Sequence, residues 1–542
     1  MWISTVAEYF SKNKGLLGGA LALVATGVGY MVSFPPFNIP ESAFVFLIPF
    51  LIWLRSRPSY RTVAWVSFAS AFVAWVVLIF WLRHVTLFGV FGLSGFVAFH
   101  FMLFALGASW LSRRFVNSDP WMGVAFSLGV SSWWVLVEFF RTWVLTGFPW
   151  LPLSSSQWDR PIMLQGAEFL GAWGVSFVLV LLNAGLASYA VRIYQYASTR
   201  RKSFCPEFYL ALVVFVCLTF LQMRRISGQE REPLFKAAVL QPAVPQDQKW
   251  DEDFALSILD RLSRNTLLLG PMGADVVFWP EATTPYPLKG DDYIKSWAEN
   301  LVNELKVPVI GGAIAFEEKD PLDESQSEKA WYNGVFLIRP EWGTYPLYYS
   351  KRHLVPFGEY IPLRGLWPWM TKFVPLEGDF YPGEDSALIS LALPESTVQI
   401  GALICYEDIF PELARASVKG GAGMLFVASN SAWYGQSAAA DQHKAHSVLR
   451  AVETRRIVLR VGNDGWTGWI DEFGNIRDSF EPYVLGGTAW DLDRDRRWFG
   501  RQTFYVKHGD WFVGACLGIV SILLLWGWKR GSRLETNDKG FV

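Results

Sequence analysis

Charge is scarce in this chain. Only 18% of its 542 residues are Asp, Glu, Lys or Arg, and the formal net charge is -1. That balance offers no basic face, so nucleic acid is excluded as an electrostatic partner. Cysteine is scarcer still, with 4 in all. Cys205, Cys217 and Cys516 lie in or beside apolar segments, which leaves Cys405 alone in the polar part of the chain. No disulfide framework and no zinc-ligand spacing exists. Histidines number 6. His443 and His446, at i and i+3, could share a metal ion, but no third ligand stands near them, and neither metal nor cofactor is expected. Internal repeats and low-complexity tracts are absent as well.

What is abundant is apolar surface. The chain is 52% hydrophobic, with 28 Trp and 42 Phe, the profile of a membrane protein diluted by a soluble part. Apolar segments run over Gly15–Phe34, Ser42–Leu54, Thr62–Leu82, Phe88–Leu111, Trp121–Val137, Ile162–Val191, Phe208–Met223 and Trp511–Trp528. Each approaches the roughly 20 residues that cross a bilayer, so about eight transmembrane helices are expected. Cations cluster in alternate loops: Arg55, Arg57 and Arg61, then Arg113 and Arg114, then Arg192 to Lys202, then Lys529, Arg530 and Arg533. The positive-inside rule then places both termini in the cytoplasm and the long polar segment outside it. The expected organisation is a membrane domain over 1–223, an extracytoplasmic domain over 224–510, and a last helix with a cytoplasmic tail over 511–542.

The polar segment alternates strand and helix patterns. Strands are predicted at Lys236–Leu240, Asp275–Trp279, Val307–Phe316, Val335–Ile338, Thr344–Tyr349, Val398–Ile404, Met424–Ala428 and Ile457–Val461. Helices are predicted at Phe254–Leu269, Asp292–Leu305, after Cys405 to about Lys419, and at Ala438–Arg455. Trp466–Ile470 and Ile476–Phe480 flank a turn and read as a hairpin. Such alternation argues a layered α/β domain. Leu363–Tyr381 breaks the pattern. It is aromatic and aperiodic, reads as a long loop of the kind that forms lids, and would rest Trp367, Trp369, Met370 and Phe373 in a membrane interface.

Three strand ends carry reactive groups. Glu281 follows Val276–Trp279 and a proline, Lys351 follows Tyr345–Tyr349, and Cys405 follows Val398–Ile404. Open α/β sheets gather their sites at strand carboxyl ends, so these three can converge. Cys405 would be the nucleophile, Glu281 the base that takes and returns its proton, and Lys351 the stabiliser of thiolate or oxyanion. A helix beginning just after Cys405 would lower its thiol pKa. A Cys–His scheme is equally open, with His353, His443 or His446 as partner. In the membrane part Glu138 and Arg141 share a helix face at i and i+3. They border either an interfacial loop or the wall of a lipid-facing cavity.

Four stretches, WPEAT (Trp279–Thr283), YYSKRHLVPFGEYIP (Tyr348–Pro362), ICYEDIFP (Ile404–Pro411) and SNSAWYG (Ser429–Gly435), resemble the nitrilase, or carbon–nitrogen hydrolase, superfamily. LVPFGEYIP and the eight-span frame, with SFPPF (Ser33–Phe37) and GAWGVSF (Gly171–Phe177), are similar to its apolipoprotein N-acyltransferase branch. The resemblance implies an αββα sandwich carrying a Glu281–Lys351–Cys405 triad. It implies Glu359 as a second essential acid, Tyr406 and Glu407 beside the nucleophile, and Trp250 near the acyl chain or the active-site entrance, and it matches Trp433 to the aromatic of the family's Asn-Asp-Ala-Trp-Phe-Gly motif near the site. The chain departs from that family's pattern at Ala282, Thr283, Gly334, Ser431 and Trp466, which bears on the shape of the acyl pocket or acceptor channel.

The implied reaction has two steps. Cys405 takes an acyl chain from a phospholipid, from the sn-1 position of phosphatidylethanolamine, as a thioester. The α-amine of a diacylglyceryl-cysteine at the N-terminus of an apolipoprotein then takes it from Cys405. The implied setting is the bacterial inner membrane, with the site on the periplasmic side. The rival reading is a membrane-tethered amidase that passes the acyl group to water; a second is a transporter or scaffold with an inactive outer domain, against which the intact Glu281, Lys351 and Cys405 stand.

Overall fold

The computed structural model describes residues 14–116, 119–199, 204–318, 329–362 and 379–538. The expected lid therefore lies outside the described residues over 363–378. Contacts divide the chain into two units, one built from the chain up to Ser227 and from Asp510 onward, the other from Gly228–Gly509.

In the first unit, five helices are long and apolar enough to cross a membrane: Tyr60–Leu78, Leu87–Phe115, Trp121–Arg141, Ala172–Ala197 and Trp511–Lys529. Shorter apolar helical stretches occur at Gly18–Val32, Pro40–Leu54 and Pro206–Leu221. Two expected spans are corrected. Ser42–Leu54 is not one helix: a 3-10 turn over Pro40–Phe44 precedes an α-helix over Ile48–Leu54 of only 7 residues. That is about 10 Å of helix against a hydrocarbon thickness of about 30 Å. Pro40 and Pro49, both at helix starts, reset the chain there. Ile162–Val191 is interrupted too. Short helices over Pro161–Leu164 and Ala167–Leu170 end at Gly171, whose φ of 66° suits glycine, before the long helix Ala172–Thr199 begins.

Non-helical backbone in an apolar helical unit must find its hydrogen bonds inside the protein. Asn183, fully buried on the long helix, does this for the broken Pro40–Leu54 stretch. Its Oδ1 accepts from the Leu47 N–H at 2.8 Å, and its Nδ2 donates to the Ala43 carbonyl at 2.9 Å. The loop after Arg141 is held in the same way. The Leu153 N–H donates to Glu138 Oε1 at 2.7 Å, Arg141 Nη2 donates to the Trp150 carbonyl at 3.0 Å, and Tyr30 donates to the Leu151 carbonyl at 3.0 Å. Glu138 and Arg141 also line a cavity of about 50 Å³ with Tyr30, Trp75, His100 and Trp134. The pair thus anchors a loop and lines a small cavity.

The second unit is two sheets. The first holds β1 (Arg231–Gln241), β2 (Val276–Trp279), β3 (Val309–Glu318), β4 (Lys329–Arg339), β5 (Gly343–Thr344) and β6 (Tyr349–Ser350). The second holds β7 (Leu388–Ala392), β8 (Thr397–Ile404), β9 (Met424–Ser429), β10 (Val458–Gly462), β11 (Thr467–Ile470) and β12 (Ile476–Phe480). The last strand, β13 (Gly486–Asp495), returns to the first sheet beside β1, giving the orders β13-β1-β2-β3-β4-β5 and β12-β11-β10-β9-β8-β7. The predicted strand Thr344–Tyr349 is split into β5 and β6, which pair separately with β4.

Successive residues of a strand point to opposite faces. In β1, Ala237 and Val239 join a core with Phe278, Ile400, Phe426 and Leu459, where the sheets face each other. Ala238 and Leu240 join an outer core with Ile258, Leu262, Ile294 and Val302, from helices Glu252–Leu267 and Asp292–Leu305. Burial on both faces explains why β1, β2 and β8 to β10 read as near-continuous apolar runs. Helices Pro411–Lys419 and Ala439–Thr454 accompany the second sheet, completing the αββα layers. Asp291 starts one helix by accepting from the Tyr293 and Ile294 N–H groups at 2.9 and 3.1 Å.

Asn183→Leu keeps the side-chain bulk but strands the Leu47 N–H and the Ala43 carbonyl. It is expected to cost about 2–3 kcal/mol and to lower the unfolding midpoint in detergent. An unchanged midpoint would contradict the anchoring role of Asn183.

Candidate active site

Parallel strands bring their carboxyl ends together, and β2, β8, β9 and β10 end on the same edge of the sandwich. At the end of β2 the chain turns sharply: Ala282 sits at a φ of 45°, and Thr283 Oγ1 closes the turn on the Pro280 carbonyl at 2.7 Å. Gly312 on β3 makes room for it, because a Cβ there would stand 2.6 Å from the Glu281 Cα. The departures Ala282 and Thr283 are therefore the residues that shape the Glu281 turn. Gly334, another departure, lies under Tyr348, whose ring a Cβ would meet at 2.6 Å.

Glu281 faces a buried polar cluster. Lys351, 1% exposed, places its Nζ 2.8 Å from Glu359 Oε1 and 3.4 Å from Glu281 Oε1. Asn333 on β4 bridges the same two acids, donating from Nδ2 to Glu281 Oε1 at 2.8 Å and to Glu359 Oε1 at 3.1 Å. Glu359 Oε2 in turn accepts from the Val355 N–H at 2.8 Å. Burial alone would push the Lys351 ammonium down, but the Glu359 and Glu281 carboxylates outweigh it and hold it well above its usual range. Lys351 is thus a fixed positive charge between two acids. Buried Lys249 donates to the Glu281 backbone carbonyl at 3.1 Å. Burial brings the Lys249 ammonium down to about 8, against the pull of Glu281, Asp464 and Cys405.

Cys405 ends β8 with a φ of 50°, a strained setting for any residue but glycine. The conformation is fixed from behind by Glu407. Its Oε2 accepts from the Ile404 N–H at 2.7 Å and from the Tyr349 hydroxyl at 2.8 Å. Its Oε1 accepts from the Arg352 and His353 N–H groups at 2.7 and 3.1 Å. One carboxylate therefore ties the nucleophile turn to the loop carrying Lys351. Tyr406 is buried against Phe410. Trp250 and Trp433 are about half exposed, and neither belongs to the buried polar cluster.

The expectation for the thiol is corrected. A 3-10 turn over Cys405–Ile409 does follow, but Cys405 is only 6% exposed. Burial pushes its thiol up to about 12, with the Glu281 charge adding to the rise and Lys351 and Arg460 opposing it. The resting group is a neutral thiol that needs a base.

For His443, hydrogen-bond direction speaks against a role as base for the thiol. Arg460 Nη2 donates to His443 Nδ1 at 2.8 Å, so the ring proton is on Nε2. That N–H points at Asp408 Oδ1, 2.6 Å away, and at the Cys405 carbonyl, 3.1 Å away. His443 holds the backbone of Cys405, while the sulfur lies 4.0 Å from the Asn430 carbonyl. His353 stacks on Phe410. Among the described residues no group of acids, histidines and cysteines could hold a metal ion.

A carboxylate, an ammonium and a thiol at adjoining strand ends, two of them on sharp turns, is the arrangement for acyl transfer through a thioester. Sequence reasoning passed over Asn333, Lys249 and Asp464. Asn333 lies in mid-strand and reads as a polar face, and Lys249 stands one residue before the more conspicuous Trp250.

A family model described as carbon-nitrogen hydrolase matches residues 236–506, and one described as apolipoprotein N-acyltransferase N-terminal domain matches residues 26–185. The second unit is therefore a carbon–nitrogen hydrolase domain of the nitrilase fold. A Geobacter metallireducens protein named apolipoprotein N-acyltransferase is 31% identical over 528 residues, 94% of this chain and 96% of its own. Its namesake in Azotobacter vinelandii is 31% identical over 534 residues, 96% of each chain. Among solved structures, an amidase from Nesterenkonia sp. aligns over 52% of this chain and 95% of its own, with 16% identity and a TM-score of 0.35. The chain belongs to the apolipoprotein N-acyltransferase family.

The electrostatics of the thiol are testable. Glu281→Gln removes a charge that opposes the thiolate, so the midpoint for alkylation of Cys405 by iodoacetamide, read by peptide mass spectrometry, should fall below about 12. Lys351→Met should raise it. Unchanged midpoints in both variants would contradict the assigned charge coupling.

Proposed function

We propose that the protein completes bacterial lipoprotein maturation by N-acylation, with Cys405 as the acyl carrier. The observation that carries the reading is the buried Glu281–Lys351–Glu359 cluster, joined through Asn333, beside a strained, buried cysteine. In the first half-reaction Glu281 takes the Cys405 proton and the thiolate attacks an ester carbonyl of a phospholipid, the sn-1 acyl of phosphatidylethanolamine. Lys351, held charged by two acids, stabilises the tetrahedral oxyanion. The proton returns through Glu281 to the departing glycerol oxygen, and lysophospholipid leaves. In the second half-reaction the α-amine of a diacylglyceryl-cysteine attacks the thioester. The C–N bond forms, the C–S bond breaks, and the amine proton reaches sulfur through Glu281. Glu359 keeps Lys351 charged and in place.

Both substrates are membrane lipids, which accords with a chain whose first unit supplies helices able to cross a bilayer. Alternation of loop cations supports an inner-membrane setting with the second unit on the periplasmic side. Domain limits at 223 and 510 follow from the same reading. The burial of Cys405 weighs against a hydrolase that passes its acyl group to water.

Incubation with phospholipid labelled in the acyl chain is expected to give hydroxylamine-sensitive label on the wild type and none on Cys405→Ala. A diacylated lipopeptide should discharge it far faster than water does. Absence of label on the wild type would refute the acyltransferase reading, and rapid discharge by water alone would favour a hydrolase. Glu281→Gln should lower turnover by about 10²–10⁴.

A further inference from the structure

The buried cluster around Lys351 serves both half-reactions alike. Nothing in it distinguishes an amine from any other nucleophile, yet an amine acceptor arrives as an ammonium and reacts only after losing a proton. A second pair of ionisable groups, Lys249 and Asp464, adjoins the Glu281 turn, to whose carbonyl Lys249 donates. Lys249 ends the helical turn Gln246–Lys249, and Asp464 follows β10 by two residues. A network of amides fixes their relative position. Asn463 accepts from the Val244 N–H at 3.1 Å and donates to the Val244 carbonyl at 2.8 Å. Asn463 also donates to Asn430 Oδ1 at 3.1 Å, and Asn430 donates to Gln246 Oε1 at 3.1 Å. Asn430 is the residue whose carbonyl adjoins the Cys405 sulfur.

Two features of this pair bear on binding. Lys249 is 2% exposed, and its Nζ bonds a backbone carbonyl, that of Glu281, rather than a carboxylate. Asp464 Oδ1 is buried and has no hydrogen-bond partner among the described residues. Asp464 Oδ1 is therefore able to accept a hydrogen bond from a donor that enters the site. An anionic phosphate would be repelled by Asp464. An amine N–H fits it.

We propose that Lys249 and Asp464 form the subsite for the acceptor amine, with Asp464 hydrogen-bonding the amine and the Lys249 ammonium beside it excluding the protonated form. This rests on the thioester reading given above. The acceptor ammonium gives its proton to water on entry. The neutral amine, oriented by Asp464, then attacks the thioester, and its second proton follows the Glu281 route to sulfur. Lys249 is charged at neutral pH and loses its charge above about 8, while burial raises Asp464 only to about 6, so that it is ionised when Lys249 is charged. The titratable groups whose charge reaches Lys249 are Glu281, Asp464 and Cys405. Lys249 and Tyr483 are those coupled to Asp464, and Tyr483 also feels Asp441.

The test separates the half-reactions in the full-length protein. Wild type, Lys249→Met and Asp464→Asn are loaded from labelled phospholipid, and the thioester is discharged with a diacylated lipopeptide or with hydroxylamine. Loading shows that each variant is folded and that the thioester forms. Lys249→Met is expected to slow lipopeptide discharge at pH 7 at least about tenfold, to recover as pH rises toward that of the free amine, and to leave hydroxylamine discharge unchanged. Asp464→Asn is expected to raise KM for the lipopeptide alone. Equal loss with both nucleophiles, or discharge by lipopeptide that neither substitution slows, overturns the subsite. Loss of loading in Lys249→Met with normal lipopeptide discharge in Asp464→Asn also overturns it, and makes Lys249 a positioning residue for Glu281. If the wild type itself fails to load, it is the thioester reading that falls.

Discussion

The second unit depends on one buried arrangement of charge, two carboxylates bridged by an ammonium and by an amide N–H group. Glu281 comes from the loop after β2, Lys351 and Glu359 from the loop after β6 and Asn333 from mid-strand, yet all four are joined by hydrogen bonds and ion pairs. Removing Lys351 leaves two buried carboxylates uncompensated, at a cost of about 3–5 kcal/mol. Such a cluster is a poor source of stability and a good source of preorganisation. It keeps a positive charge buried beside a buried base, and it sets that base against a thiol that stays neutral until it is used. The positive φ at Cys405, held by four hydrogen bonds to Glu407, belongs to the same design, since a relaxed turn would take the sulfur elsewhere.

The first unit obeys the same rule in an apolar setting. Backbone that leaves the helix is met by a buried side chain: Asn183 under the broken Pro40–Leu54 stretch, and Tyr30, Glu138 and Arg141 around the loop after the Trp121–Arg141 helix. Irregular backbone of this kind survives in a membrane protein only when it is satisfied internally. Polar residues in apolar helices therefore mark the places where the chain departs from simple crossing.

Much of this was legible before any coordinates. The apolar runs and the strand–helix alternation appear in the sequence because burial on both faces of a parallel strand leaves no polar gaps. Glu281, Lys351 and Cys405 stood out because each follows an apolar strand. What stayed hidden depended on contacts far apart in the chain. Asn333 looks like one polar residue in a strand until Glu281 and Glu359 are seen on either side of it. The thiol looked activated because a turn begins at Cys405, and only its burial shows that desolvation outweighs the turn's dipole. Ser42–Leu54 had the composition of a span but not its continuity. β13, rich in Gly and Asp, carries too little β propensity to be read as a strand, and it forms because β1 offers it a free edge.

The central claim is that the acyl chain rests on one particular sulfur. Peptide mapping of the protein after incubation with phospholipid, without an acceptor, tests it most directly. The account predicts that the peptide containing Cys405 gains the mass of one acyl chain through a bond that neutral hydroxylamine cleaves. An acyl chain found on Lys249, Cys205 or any other residue, or an unmodified Cys405 peptide while lysophospholipid accumulates, would contradict it.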